Sequence, residues 1–359
     1  MKRTDFVQKS SILLIIILFF ISISPAYAEW TIATFPNPDF RKIDFIDSNE
    51  GWALSVGSTL LHFSNGEWTT SELPDVDHGM RGLLDIQFIS RDEGWAAGSI
   101  MEWSPEGNQS DQGALYHYVN GEWASVNLPN ISTNWRLSSI QFFSPNEGWA
   151  AGSDFVNEVA LLLQYTNGEW KKITVPVRDL WRTNFFFTSP DEGWVFSKGS
   201  ILHYSNGEWK KSKIPLNWQI SSVDFVSPDE AWAVGYRGSG SHHKGILLHY
   251  VNGRWRSVRT PKVSSAWDLM AVDFISPNEG WAVGSVTNSG ISNGLLLHYL
   301  NGSWTSVDIP NLESFLLGAY FLDVQFLSNN EGWIAGYVIA ERLVIGNRLN
   351  ALLLKYSSP

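Results

Sequence analysis

The sequence predicts an all-β protein, a seven-bladed β-propeller whose blades are four-stranded antiparallel sheets. Three observations predict this fold: a motif that recurs along the chain, four strand-like segments in each repeat, and a last repeat whose missing strand is supplied by the beginning of the chain. The motif contains a Phe, a Ser-Pro-Asn/Asp-Glu-Gly-Trp turn and a later Tyr-x-Asn-Gly-x-Trp segment. Its first tryptophan recurs at spacings of 38 to 54 residues, at Trp52, Trp95, Trp149, Trp194, Trp232, Trp281 and Trp333.

Each repeat contains four short segments with β-strand character. Apolar residues alternate along the first segment, as in residues 84–88. In the third repeat a turn follows at residues 144–148, where Pro fixes φ and Gly permits a positive φ. Residues 149–152 open the second segment, and residues 161–165 form the third. Asn167-Gly168 then predicts a tight hairpin into a fourth strand that begins with tryptophan.

The two ends of the chain predict how the ring closes. The seventh repeat stops after its third strand, at residues 352–356, without an Asn-Gly-x-Trp segment. Residues 30–36 have the same Trp-to-Pro spacing as the fourth strand of the other repeats, such as Trp68 to Pro74. We therefore expect the first strand to complete the last blade and remove an open sheet edge. Residues 29–359 then form one domain.

Composition excludes several classes of protein. The chain has 359 residues, of which 44% are hydrophobic and 14% aromatic, so it is not disordered. It has 19 Trp and no Cys, which excludes disulfides, thiolate metal sites and a cysteine nucleophile. The formal net charge of −11 argues against non-specific binding to nucleic acid or to anionic membranes.

Residues 1–28 are predicted to be a signal peptide. A basic start at Lys2 and Arg3 precedes an apolar run at residues 12–21, and Ala26-Tyr27-Ala28 has the pattern of a cleavage site. We expect an exported, periplasmic or extracellular protein without stable membrane insertion after cleavage. The alternative is an uncleaved signal anchor, although the apolar run is short for a membrane span.

The repeat resembles those of BNR (Asp-box) propellers. The segment Phe-x-Ser-x-x-Glu-Gly-Trp-Ala-Val-Gly, followed by the Tyr-x-Asn-Gly-x-Trp hairpin, is similar to the repeats of photosystem II stability/assembly-factor-like proteins. This resemblance covers all of residues 29–359. It implies a propeller fold and a protein client or envelope partner.

Long variable loops and unassigned tryptophans predict the binding face. Turns between strands one and two, and between strands three and four, are nearly constant and share one face of a propeller. The opposite face carries loops of variable length, the usual location of binding residues. Fourteen tryptophans belong to the repeat, and five do not. These five are assigned to the variable face: Trp103, Trp135, Trp181, Trp218 and Trp267.

Arginines accompany these tryptophans, at Arg81, Arg136 and Arg182. Trp and Arg are enriched in binding hot spots, and aromatic faces also stack on sugars. The five tryptophans and three arginines are therefore candidate ligand-binding residues. The alternative is that the Trp side chains pack between blades beneath the loops.

Histidines and carboxylates recur mainly as parts of the repeat. His62, His117, His203, His249 and His298 occupy one position of the third strand, so we expect a structural role and no metal site. Carboxylates recur on the first strand, where they are predicted to face the central channel: Asp44, Asp85, Asp224, Asp273 and Asp323. They form either a site for a cation or basic segment, or solvated polarity of the channel.

The sequence favours a monomeric, non-catalytic propeller that binds a protein client on its variable face and needs no cofactor. A glycan-binding, lectin-like role is the first alternative. A sialidase-like glycoside hydrolase is the second. The sialidase Phe/Tyr-Arg-Ile-Pro signature is absent, as are a Ser-His-Asp triad, a phosphate loop and a metal motif.

Overall fold

Seven antiparallel sheets make up the described part of the chain. The computed structural model describes residues 29–35, 39–55, 58–76, 78–176, 184–197, 199–215, 217–238, 243–263, 266–288, 290–309, 318–342 and 347–358. The predicted signal peptide lies outside these residues. All regular elements within them are β-strands. None of the described residues belongs to a helix that is long and apolar enough to cross a membrane.

The first half of the chain forms four blades after an initial strand. Strand β1 (Glu29–Phe35) comes first and belongs to the last blade. Blade 1 contains β2 (Phe40–Asp47), β3 (Glu50–Ser55), β4 (Leu60–Ser64) and β5 (Glu67–Ser71). Blade 2 contains β6 (Met80–Ser90), β7 (Glu93–Trp103), β8 (Gln109–Val119) and β9 (Glu122–Ser125). Blade 3 contains β10 (Trp135–Ser144), β11 (Glu147–Asp154), β12 (Val159–Thr166) and β13 (Glu169–Ile173). Blade 4 contains β14 (Asn184–Ser189), β15 (Glu192–Ser197), β16 (Ser200–Ser205) and β17 (Glu208–Lys213).

The second half forms the remaining three blades. Blade 5 contains β18 (Trp218–Ser227), β19 (Glu230–Arg237), β20 (Lys244–Val251) and β21 (Arg254–Ser257). Blade 6 contains β22 (Ala266–Ser276), β23 (Glu279–Asn288), β24 (Ile291–Leu300) and β25 (Ser303–Val307). Blade 7 contains β26 (Ala319–Ser328), β27 (Glu331–Arg342) and β28 (Asn347–Ser357). Each sheet has four strands in sequence order, and blade 7 has the order β1-β28-β27-β26. The predicted seven-bladed propeller is thus confirmed.

The ring closes as the sequence predicts. Strand β1 pairs antiparallel with β28, from Glu29 opposite Ser357 to Phe35 opposite Ala351. The first strand of each blade contacts the first strand of the next, and β26 contacts β2. The first strands therefore line the centre, and the fourth strands form the outer edge.

The core lies between blades and is built from the repeat tryptophan. Trp95 is buried, and its indole stacks on Phe142 of the next blade with ring centroids 3.9 Å apart and planes 2° apart. His117 covers the other face of the same indole at 4.7 Å and pairs with Glu93. The Phe–Trp contact recurs at all seven blade interfaces, and the histidine stack recurs in five blades. These histidines therefore belong to blade packing.

Hydrogen bonds hold the two constant turns of each blade together. The hairpin Asn65 has a φ of 51° and Gly66 a φ of 91°, which is the conformation that Asn-Gly favours in a tight turn. The Asn65 N–H donates to the carbonyl of Asn49 in the first turn of the same blade, at 3.0 Å. The Asn167 N–H donates likewise to Asn146 at 2.8 Å. The constant turns thus share one face, and the longer loops lie on the opposite, variable-loop face.

Candidate functional site

The predicted channel carboxylates do line the central channel. A cavity of about 440 Å³ is bounded by the first strands, and Asp44, Asp85, Asp224, Asp273 and Asp323 all contribute to its wall. They face inward because side chains alternate along a strand and the neighbouring residues, such as Ile43 and Ile86, point into the blade interfaces.

The carboxylates bind the next blade, a role that the sequence analysis missed. The Phe274 N–H donates to Asp224 Oδ2 at 2.7 Å, and the Phe326 N–H donates to Asp273 Oδ2 at 2.6 Å. The Phe88 N–H donates in the same way to Asp44. Each carboxylate therefore joins one inner strand to the inner strand that follows it.

Glutamine replaces aspartate at this position in three blades and makes the same contact. The Phe142 N–H donates to Gln87 Oε1 at 2.6 Å, and Gln87 Nε2 donates back to the Phe142 carbonyl at 3.1 Å. Gln141 and Gln325 are the other two acceptors. An amide and a carboxylate thus perform the same function, which indicates that the contact needs an acceptor and not a negative charge. The recurrence of Asp and Gln at one repeat position is the sequence signal for this role.

Asp85 and Asp323 stand two residues earlier and form a second contact of the same kind. The Ile140 N–H donates to Asp85 Oδ2, and the Ile43 N–H donates to Asp323 Oδ2, both at 2.9 Å. The sequence suggested that the channel carboxylates either bind a cation or basic segment or are solvated by channel water. Neither alternative includes these bonds to the next blade. Each carboxylate therefore already accepts an N–H of the next blade through one of its oxygens.

Of the described residues that line the channel, Lys42 carries a positive charge. Its Nζ lies 3.6 Å from Asp323 Oδ2, and its side chain retains 40% of its exposure to the channel. The negative charge of Asp323 raises the pKa of Lys42 above its ordinary value. Burial raises the pKa of Asp44 to about 7 and that of Asp224 to about 6. Burial and the adjacent Asp224 together hold the pKa of Asp273 well above the usual range of a carboxyl group. Burial thus disfavours the charged form of the carboxyl groups around the channel.

The described residues contain no group of three or more His, Asp or Glu side chains that is arranged to hold a metal ion.

Two of the five candidate tryptophans are buried. Trp135 and Trp267 stand at or beside the start of an inner strand, and only 4% and 3% of their surface is exposed. Each indole rests on a glycine of the preceding blade: a Cβ at Gly113 would lie 2.2 Å from Trp135, and one at Gly245 would lie 2.0 Å from Trp267. Neither ring is thus available for stacking on a ligand. This arrangement corrects the placement of these two rings on an open binding face and favours blade packing.

The other predicted residues differ in their surroundings. Trp218 is half-buried and packs against the interface of blades 4 and 5. Trp181 and Arg182 lie outside the described residues. Arg81 donates to the Pro74 carbonyl and lies 5.7 Å from the Tyr116 ring, and Arg136 lies 5.2 Å from the Phe155 ring. Both of these arginines are half-buried against aromatic rings.

Among the candidate tryptophans that the structure describes, Trp103 is the exposed one. It ends β7 in the long hairpin of blade 2, and 50% of its surface is exposed. Met80, which is 57% exposed, pairs with Met101, and Trp103 follows Met101 by two residues on the same side of the hairpin. We call Met80, Met101 and Trp103 the blade-2 ledge. Sequence alone singled out Trp103 of these three residues, because the pairing of Met80 with Met101 appears only when β6 and β7 are aligned.

The ledge is held by bonds to the segment that enters blade 3. The Asp111 N–H donates to Asn134 Oδ1 at 3.0 Å, and Gln112 Nε2 donates to the Thr133 carbonyl at 2.8 Å. On the same face of the molecule, Val156 in the β11–β12 turn is 54% exposed. The side of the variable-loop face at blades 2 and 3 therefore combines exposed apolar groups on a fixed hairpin with the nearby Arg81 and Arg136.

Blades 5 to 7 give the same face a different character. Asp268 accepts bonds from the Ser285 N–H at 2.9 Å and hydroxyl at 3.0 Å, and it lies 3.2 Å from His243. Tyr320 and Tyr337 stack at 4.7 Å, and burial raises the pKa of Tyr337 to about 12. These polar groups have partners within the protein. The blade-2 ledge is therefore the part of this face that best offers a free apolar surface.

Comparison with solved structures supports the fold. The chain is similar to YCF48 bound to a D1 peptide, with a TM-score of 0.65 and 17% identity over 93% of this chain and 97% of that protein. It is also similar to the GH74 xyloglucanase of Xanthomonas campestris, with a TM-score of 0.60 and 12% identity over 87% of this chain and 54% of the enzyme. A PL25 ulvan lyase matches with a TM-score of 0.52 and 9% identity over 89% of this chain and 95% of the lyase. No protein family and no curated protein matches the sequence.

Proposed function

We propose that this propeller is an exported, non-catalytic protein that binds a segment of a protein partner at the blade-2 ledge. The exposure of Met80 and Trp103, at 57% and 50%, is the observation that carries the proposal. Large apolar side chains next to each other on a protein surface lose water-exposed area when a partner covers them. Met and Trp are also residue types enriched at protein interfaces.

The fixed position of the hairpin supports this function. Its bonds to Asn134 and Thr133 restrain it before binding, so that a partner does not have to order a mobile loop. Among proteins of similar fold, YCF48 was solved with a bound D1 peptide, and this likeness supports a peptide partner for the present chain. The present chain acts as a monomer in this proposal.

Glycan binding is the second candidate, and exposed Trp103 favours it. A single exposed indole provides one stacking platform for a sugar ring. The burial of Trp135 and Trp267 removes two further platforms from the row that the sequence suggested. A glycan site would therefore depend on Trp103 and on polar partners that are already bonded within the protein.

Glycoside hydrolysis is the third candidate and has the weakest support. A retaining or inverting mechanism needs two carboxyl groups that are free to contact the substrate. The channel carboxyl groups Asp44, Asp224 and Asp273 instead accept backbone N–H groups of the next blade. Similarity in fold to a xyloglucanase and a lyase does not supply catalytic residues.

A photo-crosslinking phenylalanine derivative at position 103, which keeps an aromatic ring there, tests the proposal. In extracts of the source organism, we expect it to crosslink to a protein partner. The same amino acid at Val119, which is 39% exposed at the constant-turn face, is the matched control and should give no such crosslink. Equal labelling from both positions would contradict the proposed site.

The variant Trp103→Ala separates protein binding from glycan binding. Because the indole is half exposed, the variant should change the free energy of unfolding by less than about 1 kcal/mol. Loss of the protein crosslink to a second probe at Met101 supports the protein client. A polysaccharide that quenches the Trp fluorescence of the wild type but not of the variant would instead support glycan binding.

A further inference from the structure

The outer edge of the propeller carries a concentration of positive charge that the acidic composition conceals. The formal net charge of the chain is −11, yet the fourth strands of blades 3 and 4 are strongly basic. Blade 3 contributes Lys171 and Lys172, and blade 4 contributes Lys210, Lys211 and Lys213. All five side chains are exposed.

Blade 5 continues the basic edge. Arg254 and Arg256 lie in its fourth strand, and Arg259 and Lys262 follow it, all exposed. Fourth strands are the outermost strands of their sheets, so these nine cations form one band around three consecutive blades. We call this band the basic belt.

The belt is almost free of internal ion pairs. Among the described residues, Lys172 pairs with Asp154, with 3.7 Å between Nζ and Oδ2, and no ion pair of 4.0 Å or less joins the other eight cations. Glu169 and Glu208 are the two acidic residues in the fourth strands of these blades. The positive charge is therefore directed mainly at solvent.

The other four blades provide an internal comparison. Their fourth strands contain no Lys or Arg, and the residues after the strand tryptophan are Thr31, Thr69, Ala124 and Thr305. Charged side chains do protect exposed sheet edges from pairing with other chains. Since four edges of the same geometry lack such protection, edge protection alone does not explain why all nine cations lie on three neighbouring blades.

A small cavity lies at the blade-5 part of the belt. It has a volume of about 220 Å³ and is lined by Arg237 and Arg259 together with Ser257 and Thr260. Guanidinium groups bind carboxylates in a bidentate manner, and hydroxyl groups add further donors. The rest of its lining is Gly245, Ile246, Leu247 and Val258, so the cavity offers a carboxylate two arginines and two hydroxyl residues beside an apolar wall.

We propose that the basic belt binds an acidic, extended segment of a partner protein, with one carboxylate in the Arg237–Arg259 cavity. The outer strands offer unpaired backbone groups that an extended peptide can use as well as cations. The belt has no exposed aromatic ring on which a sugar could stack. Adjacent blades are rotated by about 50°, so a flat membrane would contact one blade at a time, whereas a flexible peptide can follow the curve.

A fluorescently labelled peptide of about ten consecutive glutamates tests this proposal. Its anisotropy is measured as the full chain is added, at about 20 and 200 mM salt. We expect binding that weakens at the higher salt concentration, and no binding of the matching glutamine peptide. The triple variant Lys210→Gln, Lys211→Gln, Lys213→Gln should weaken binding about tenfold. The triple Lys→Arg variant keeps the charge and should retain the affinity. Arg259→Gln should weaken it separately.

Three controls make the result decisive. Thr69→Gln with Thr70→Gln changes the equivalent edge of blade 1 and should leave the affinity unchanged, as should Trp103→Ala on the ledge. Melting temperatures of all variants exclude loss of fold as the cause. Unchanged affinity in the triple Gln variant would overturn the proposal. So would tighter binding of a polyuronate or of anionic phosphatidylglycerol vesicles than of the peptide.

Discussion

The residue before the inner-strand Phe determines how neighbouring blades are joined. In six blades it is Asp or Gln, and its side chain accepts the N–H of the next Phe. Blade 4 has Phe186 instead, which stacks on Phe225 with ring centroids 5.0 Å apart. Aspartate makes this contact at a cost, because burial disfavours its charged form.

The variant Asp44→Gln is expected to flatten the dependence of stability on pH. The pKa of Asp44 rises from its ordinary value of 3.8 to about 7 in the folded protein. A raised pKa contributes stability below the unfolded pKa, and this contribution is lost as pH rises through about 7. Wild type should therefore lose stability between about pH 5 and 8, by roughly 2 kcal/mol more than the variant. Urea unfolding at both pH values measures the difference.

Asp47→Asn provides the control for that experiment. The Asp47 side chain is 39% exposed, and its hydrogen bond with Arg91 lowers its pKa, so it remains ionised over the same pH range. Its variant should run parallel to wild type between about pH 5 and 8. If the Asp44 variant also runs parallel, Asp44 does not titrate near neutral pH.

At the scale of the strand, a glycine in the preceding blade leaves the space that a buried tryptophan ring fills. We call such a glycine a socket. The third strands of blades 2 and 5 contain Gly113 and Gly245 directly beneath Trp135 and Trp267. The repeat pattern correctly predicted the strands, the turns and the closing strand, since these depend on local sequence. It left open whether the two rings are exposed or buried between blades, because the glycine and the tryptophan meet only after two blades pack together.

The same limit applies to the channel. Alternation along the strand predicted that Asp44 and Asp224 face the centre, and they do. Their hydrogen bonds were not predictable from this alternation, because each donor belongs to the next blade and meets the carboxylate only through the rotation between neighbouring sheets. Sequence periodicity thus predicts the direction in which a side chain points. Its hydrogen-bond partner can be identified only once the blades are assembled into the ring.

The substitution Gly113→Val tests the socket. Its side chain would overlap the Trp135 ring, so we expect the free energy of unfolding to fall by about 2 kcal/mol. The indole should also shift toward solvent, which a red shift in Trp emission would report. Ser110→Val, on the same strand and partly exposed, should change stability by less than about 0.5 kcal/mol. Equal effects of the two variants would argue against a socket.

At the scale of the whole molecule, acidic, apolar and basic side chains lie on different surfaces of the ring. The channel concentrates carboxyl groups, the variable-loop face carries the apolar ledge, and the outer edge of three blades carries the basic belt. A net charge of −11 therefore describes none of these surfaces. A rigid ring makes such separation possible, since each blade presents its strands in the same order to the centre and to the rim.

Closure by β1 is the contact on which this rigidity depends. Trp30 and Ile32 pack against the cluster of blades 6 and 7, and Phe35 belongs to the cluster between blades 7 and 1. Deleting residues 29–36 exposes the edge of β28 and part of both clusters, so we expect the melting temperature to fall by about 10 °C or more. The loss should appear in a single transition, because both interfaces of blade 7 weaken together.

Transfer of the deleted strand to the other end of the chain tests whether the strand itself or its covalent position stabilises the ring. A permuted protein with residues 29–36 joined after residue 358 by a short Gly/Ser linker can form the same β1–β28 pairing as a hairpin. We expect the permuted protein to recover most of the lost melting temperature, measured by circular dichroism. A deletion variant that melts like wild type would show that closure adds no stability. A permuted protein as unstable as the deletion would show that β1 acts through its connection to blade 1 and not through its pairing with β28.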